Sequence, residues 1–149
     1  MSPDGSKLVW EVTSGKRPAL RVRDLDRGTG RVLPVPGPLS GANIITLADW
    51  AWRPDSRRLA VRVLHGISVG YSELKTVDVA TGRWRHRFNF EPGQRQIECC
   101  AGMAWPAGSR RIAVVQTLYS QGAVRVTSIE IGDQVPADVA GGGCNGGAW

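Results

Sequence analysis

Three stretches decide the fold: MSPDGSKLVW at 1–10, WRPDSRRLAV at 52–61 and WPAGSRRIAV at 105–114. They align without gaps, first 51 and then 53 residues apart. In each, a turn of proline, aspartate, glycine or serine leads through one or two basic residues into a β-prone apolar run. Self-similarity at a period near fifty residues marks a repeat architecture. Trp149 stands 44 residues beyond Trp105, behind Ala148 just as Trp52 follows Ala51 and Trp105 follows Ala104. GGAW at 146–149 therefore reads as the opening of a further repeat. MSPDG reads as a repeat in which Met1 holds the place of the tryptophan.

Within a repeat the pattern is that of an antiparallel meander. The turn is followed by a strand from about Lys7 to Val12, then ALRVRDLD (19–26), the turn RGTGR (27–31) and a short VLPV (32–35). The second repeat matches with RLAVRVL (58–64), SELKTVDV (72–79), the turn ATGR (80–83) and WRHRFNF (84–90). The third supplies RIAVVQTLY (111–119), AVRVTSIEI (123–131) and a weak QVPADV (134–139). NIITLADWAW (43–52) and IECCAGMAW (97–105) add the strand that leads into each tryptophan. In SPDG, proline presets φ, aspartate bonds its own backbone and glycine accepts the left-handed conformation. Gly30 and Gly82 of the two TGR turns are expected to serve in the same way.

A four-stranded sheet cannot bury both faces alone, so such sheets stack on neighbours, and stacking around an axis makes a β-propeller. The expected fold class is all-β, about three four-stranded antiparallel blades. The chain forms one repeat domain over 1–149, with repeats at about 1–51, 52–104 and 105–148 and a further strand beginning at 146–149. SPDGSKLVW, LRVRDLDRGTGR and WAWRPDSRRLAV resemble the WD-like repeats of TolB-type propellers, where a Trp-Ser-Pro-Asp-Gly turn follows the innermost strand. The third repeat departs from that pattern, with WPAGS and no TGR. The resemblance implies that Pro3, Asp4, Gly5, Trp52, Pro54, Asp55, Trp105, Gly108 and Trp149 are structural repeat residues. It also implies scaffolds, receptors and enzymes alike, so function must be argued from a site.

Three repeats fall short of the smallest usual ring, about four blades. The expectation is either a piece of a longer propeller, or a half-ring that a second copy closes into six blades, with self-association or another protein as partner. Composition agrees with a globular β-protein: 42% hydrophobic and 21% charged, with 19 glycines and 9 prolines among 149 residues, too apolar for disorder and rich in turn formers. The net charge of +6 is carried mostly by arginine, because Lys7, Lys16 and Lys75 are the lysines among 19 basic residues. These arginines are scattered, which disfavours nucleic acid as partner. No apolar run reaches the roughly 18 residues of a membrane span. The visible N-terminus lacks a secretory pattern. Cytoplasmic residence is expected of a complete chain and export of a piece of a longer precursor.

Catalytic signals are absent: no Gly-x-Ser-x-Gly, no phosphate-cradling loop and no histidine-centred triad. Cys99, Cys100 and Cys144 have no metal-ligand spacing, and neither do His65 and His86. No cofactor or metal is expected. The PDG and TGR turns share one rim of the meander, so the loops that differ between repeats share the other, where specificity usually resides. The candidate binding residues there are Lys16, Arg17, Asn43, His65, Tyr71, Arg95 and Tyr119, for a protein or a small ligand. Binding is favoured over catalysis. The alternatives are a propeller hydrolase or lyase using Asp49 and Glu98 near the axis, and a basic nucleic-acid module. The strip RWRHRF (83–88) is read as an outer strand with one wet and one packed face.

Overall fold

The proline turns fold as their composition dictates. In the first, the Gly5 N–H donates to the Ser2 carbonyl at 2.9 Å, and the Ser2 N–H donates to the Lys7 carbonyl at 2.8 Å. Asp4 Oδ1 accepts from the Ser6 N–H at 3.0 Å, and Gly5 takes φ +74°, a conformation cheap for glycine. The second turn repeats this, with Asp55 Oδ1 accepting from the Arg57 N–H at 3.0 Å. Here a serine, Ser56, occupies the left-handed position at φ 57°. In the third turn that conformation moves one place earlier, to Gly108 at φ 68°. Ser109 Oγ then does the work of the missing aspartate, accepting from the Arg111 N–H at 2.8 Å.

The second kind of turn corrects one expectation. Asp78 Oδ1 accepts from the N–H groups of Ala80 and Thr81, and Asp24 Oδ1 accepts from the Arg27 N–H. The left-handed glycine stands four residues after each aspartate, at Gly82 (φ 74°) and Gly28 (φ 65°). Gly30 is instead the first residue of a strand. The aspartate caps the turn from its first position and so sets the register. The shared letters TGR fall two places out of step.

The computed structural model describes residues 1–14, 17–37, 45–65, 72–90, 97–118 and 123–131. Its elements are β1 (Lys7–Ser14), β2 (Arg17–Asp24), β3 (Gly30–Pro34), β4 (Ile45–Trp52), β5 (Arg58–His65), β6 (Ser72–Asp78), β7 (Trp84–Phe90), β8 (Ile97–Ala104), β9 (Arg111–Leu118) and β10 (Ala123–Glu130). They form three antiparallel sheets, β1-β2-β3, β4-β5-β6-β7 and β8-β9-β10. The fold is all-β, with sheets of three and four strands. The 134–139 stretch and Trp149 lie outside the described residues. Trp52 closes β4, and Trp105 directly follows β8.

The sheets stack in chain order. One buried cluster joins Leu20, Val22, Leu33 and Val35 of the first sheet region to Leu47, Leu59, Val61, Val63 and Val77 of the second, with Trp50, Trp52 and Trp84 packed against it. The other joins Ala51, Ala60, Leu74 and Phe90 to Trp105, Ile112, Val114 and Ile129. Antiparallel partners share a face, so the register of β5 with its neighbours sends Leu59, Val61 and Val63 toward the first sheet and Ala60 and Arg62 toward the third.

The middle sheet packs on a neighbour at each face. RWRHRF is an outer strand with Arg85 and His86 exposed, as expected, but packed residues lie on both of its faces. Trp84 packs on the first cluster, Phe88 and Phe90 on the second, and Arg87 is buried. A register shift after Leu74 inserts Arg87 into β7 and breaks the simple alternation.

At the proline-turn end, neighbouring sheets are stitched together. The Asp4 N–H donates to Ser56 Oγ at 3.2 Å. The Arg31 guanidinium donates to the Ala80 carbonyl, with the Val79 and Thr81 carbonyls at 3.4 Å. The Arg53 guanidinium lies 5.7 Å from the centre of the Trp105 ring.

Candidate functional site

Antiparallel topology places the turns before β1 and between β2–β3, β4–β5, β6–β7 and β8–β9 at one end of the sheets. The strand ends Ser14, Pro34, His65, Phe90 and Leu118 are at the other. Lys16, Asn43, Tyr71, Arg95 and Tyr119 lie outside the described residues. Of the seven binding candidates, Arg17 and His65 are described. Arg17 begins β2 opposite Ser14 and is part-exposed. His65 was expected in a loop but is the last residue of β5 and is buried.

His65 belongs to a small polar group that the sequence did not single out. Its Nε2 lies 3.3 Å from Glu73 Oε2, and Lys75 Nζ approaches the same oxygen at 2.5 Å. Glu73 pairs with Val63 and Lys75 with Val61, so both carbons of attachment face the first sheet. Burial raises the Glu73 carboxyl, but the Lys75 hydrogen bond and charge, helped by His65, outweigh it and hold the group below its usual value. The trio lies at the loop end of the sheet, with an anion, a cation and an imidazole within reach of one another. Period-two alternation in SELKTVDV carried this signal, because it sets Glu73 and Lys75 on one face.

A second polar group lies on the opposite face, against the third sheet. Asp49 and Arg62 are register partners. They meet because the register slips between Leu47 and Asp49, which moves Asp49 off the face that Leu47 occupies. Asp49 Oδ1 accepts from the Trp50 N–H at 2.8 Å. Its Oδ2 is buried with no hydrogen-bond partner among the described residues. Burial raises the Asp49 carboxyl, against the opposing pull of the Trp50 N–H and the Arg62 charge. Arg62 is buried with its guanidinium 5.6 Å from the Phe90 ring centre, and Arg87 Nε donates to Thr76 Oγ1 at 2.9 Å. The side chain of Glu98, the other expected axial carboxylate, is outside the described residues.

The repeat residues occupy the stitched end. Asp4 is held well below the usual carboxylate range, chiefly by the Ser2 hydroxyl and then by the Ser6 N–H and hydroxyl. Trp105 is buried and its Nε1 donates to the Ser109 carbonyl at 3.2 Å. Trp52 Nε1 is buried with no such partner among the described residues. His86 is exposed beside Asn89 at 2.7 Å. Among the described residues no group of three or more His, Cys, Asp or Glu is placed to hold a metal. No helix there is long and apolar enough to cross a membrane.

No protein-family model matches the chain, and no curated protein matches it. Solved structures do. Dipeptidyl peptidase 4 of Porphyromonas gingivalis superposes with a TM-score of 0.60 at 12% identity, over 87% of this chain and 23% of that one. A structure from a study of two prolyl endopeptidases gives 0.58 at 17% identity, over 85% and 19%. TolB from Acinetobacter baumannii gives 0.43 at 18% identity, over 90% and 40%. The chain thus spans about a fifth of the length of the two peptidase structures. At these identities the likeness is one of fold, and the fold is that of β-propeller blades.

Proposed function

We propose that the chain is a non-catalytic module of a TolB-type, WD-like propeller that binds a protein or small ligand at the loop end of its sheets. One contrast supports the reading. At the proline-turn end, Asp4, Asp55, Asp24 and Asp78 each spend an oxygen on their own turn, and Arg31, Ser56 and Arg53 reach the next sheet. Those groups are committed to the frame. At the other end the trio of His65, Glu73 and Lys75 lies where β5 ends and β6 begins, at the strand ends from which the segments that differ between repeats depart. Variable segments on a repeated frame are where recognition is usually built.

The test is an amide-resolved NMR titration against a library of fragments and short peptides. Binders should shift Arg17, His65, Ser72 and Glu73 and leave Gly5, Gly28 and Gly82 in place. Shifts concentrated on those glycines would overturn the reading.

A second reading has one observation in its favour. Asp49 is a carboxyl raised by burial with one oxygen lacking a described partner, and such groups serve as acids and bases. A propeller hydrolase or lyase predicts a measurable rate that Asp49→Asn abolishes while the fold persists.

A further inference from the structure

The trio of His65, Glu73 and Lys75 keeps three ionisable side chains nearly out of water, at 7%, 14% and 12% exposure. His65 Nε2 and Lys75 Nζ converge on one oxygen, Glu73 Oε2. The sequence around the trio is poor in charge. Segment 66–71, which follows His65, and segment 38–44, which precedes its register partner Ile45, hold no Asp, Glu, Lys, Arg or His. The electrostatics of these strand ends therefore depend heavily on the three residues themselves.

The elements packed around the trio add little charge. β4 and β5 bring Leu47, Trp50, Val61 and Val63 to the same face. β7 brings His86 opposite Lys75 and Asn89 opposite Glu73, and the exposed His86 contacts Asn89. On the first sheet, the charged residues that share the inward face of Val9 and Val22 are Lys7, Glu11, Asp24 and Arg31. Lys7, Asp24 and Arg31 belong to the proline-turn end, where Arg31 bonds the Ala80 carbonyl. That leaves the exposed Glu11, half-way along β1. Burial raises the Glu73 carboxyl, yet Lys75 and then His65 hold it below its usual value, so Glu73 is an anion throughout the neutral range.

Imidazole is the side chain that changes charge between about pH 5 and 8. With His65 neutral the trio is balanced, Glu73 against Lys75. With His65 protonated, one carboxylate faces two cations and the trio carries a net positive charge where water is scarce. We propose that the trio is a proton-controlled charge at these strand ends, which take an anionic group and bind it with uptake of a proton by His65. The shared ligand chemistry is a compact anion, whether a carboxylate on a peptide or a free oxyanion. By linkage, the anion favours the protonated imidazole as much as the proton favours the anion. The inference rests on the reading of this end as the place of recognition, and adds to it the charge of the ligand and its regulation.

The probes are sulfate, whose charge is constant over this range, and an acetylated tri-glutamate peptide. Each is titrated at constant ionic strength at about pH 8 and about pH 5.5, following the Ser72 and Glu73 amides by NMR. Both should bind more tightly at the lower pH, on the order of fourfold, the effect of one added charge about 5 Å from an anion in water-like surroundings. A larger gain for the peptide points to a polypeptide ligand, an equal gain to a free anion. His65→Gln should abolish the difference and His86→Gln should preserve it. Glu73→Gln leaves the Lys75 charge unbalanced, so its affinity at the higher pH should match that of the parent at the lower. Equal affinities in the parent, a difference that survives His65→Gln, or no gain in Glu73→Gln would each overturn the proposal. Neutral peptides that bind here without any response to pH would sink this inference and spare the recognition reading. Sulfate binding that follows pH, with every peptide and fragment silent, would do the reverse.

Discussion

Gly82→Ala is the sharpest probe of how neighbouring sheets are joined. Both Gly28 and Gly82 hold left-handed φ, 65° and 74°. An added Cβ costs about 1–2 kcal/mol in that region, and the lower entropy of the unfolded chain offsets about 0.4–1 kcal/mol of it. At Gly28 a new Cβ meets nothing within 4 Å, so Gly28→Ala should destabilise by about 1 kcal/mol. At Gly82 the same atom falls 2.9 Å from Arg31 Nη2 and 3.4 Å from Leu33 Cδ2. The guanidinium must shift to make room, at the expense of its bond to the Ala80 carbonyl. A hydrogen bond to a charged donor is worth about 1.5–3 kcal/mol, and the exposure of this one argues for the lower figure. Gly82→Ala should therefore cost about 2–3 kcal/mol, read by urea unfolding monitored through tryptophan fluorescence. In an Arg31→Ala background the two alanine substitutions should cost the same. Equal costs in the parent chain, or an excess at Gly82 that persists without Arg31, would refute the argument.

Ser56 bears a left-handed φ and also accepts the Asp4 N–H. Ser56→Ala keeps the strain and loses the bond, so it should destabilise by about 1 kcal/mol. Ser56→Gly also relieves the strain and should lie within about 1 kcal/mol of the parent in the same unfolding assay. Acid should act through Asp78. Burial raises its carboxyl, but the N–H and hydroxyl of Thr81, the Ala80 N–H and the Arg58 charge more than offset this and leave it below its ordinary value. A group whose folded pKa is depressed contributes stability above its unfolded pKa, about 4, and loses it as pH falls through the folded value. Melting temperature should drop below about pH 4, and Asp78→Asn should flatten the drop; an unchanged acid profile in that variant would exclude the assignment.

The turns and strands were legible because their chemistry is local. Asp4, Asp55 and Asp78 bond backbone groups two or three residues on, and proline with glycine or serine marks the place from sequence alone. The strand into each tryptophan was found for the same reason. Positions set by partners in space were harder. The recurring TGR points to Gly30 as the turn glycine, whereas the capping aspartate sets the count and selects Gly28. Arg62 and Arg87 look like surface residues by type, yet the sheets on both sides bury them. The slip at Asp49 and the insertion at Arg87 leave no periodic trace. His65 begins the stretch HGISVGY and so read as loop, while pairing with β4 extends β5 through it.

The middle sheet is gripped on both sides, the outer two on one side each. In a stack held by nearest-neighbour contacts, melting then advances from the flanks inward, as in a one-dimensional Ising array. β5 and β6 would exchange their amide protons last, and β1 and β10 would fray first. Closing the stack into a circle removes its ends, and with them that gradient of local opening.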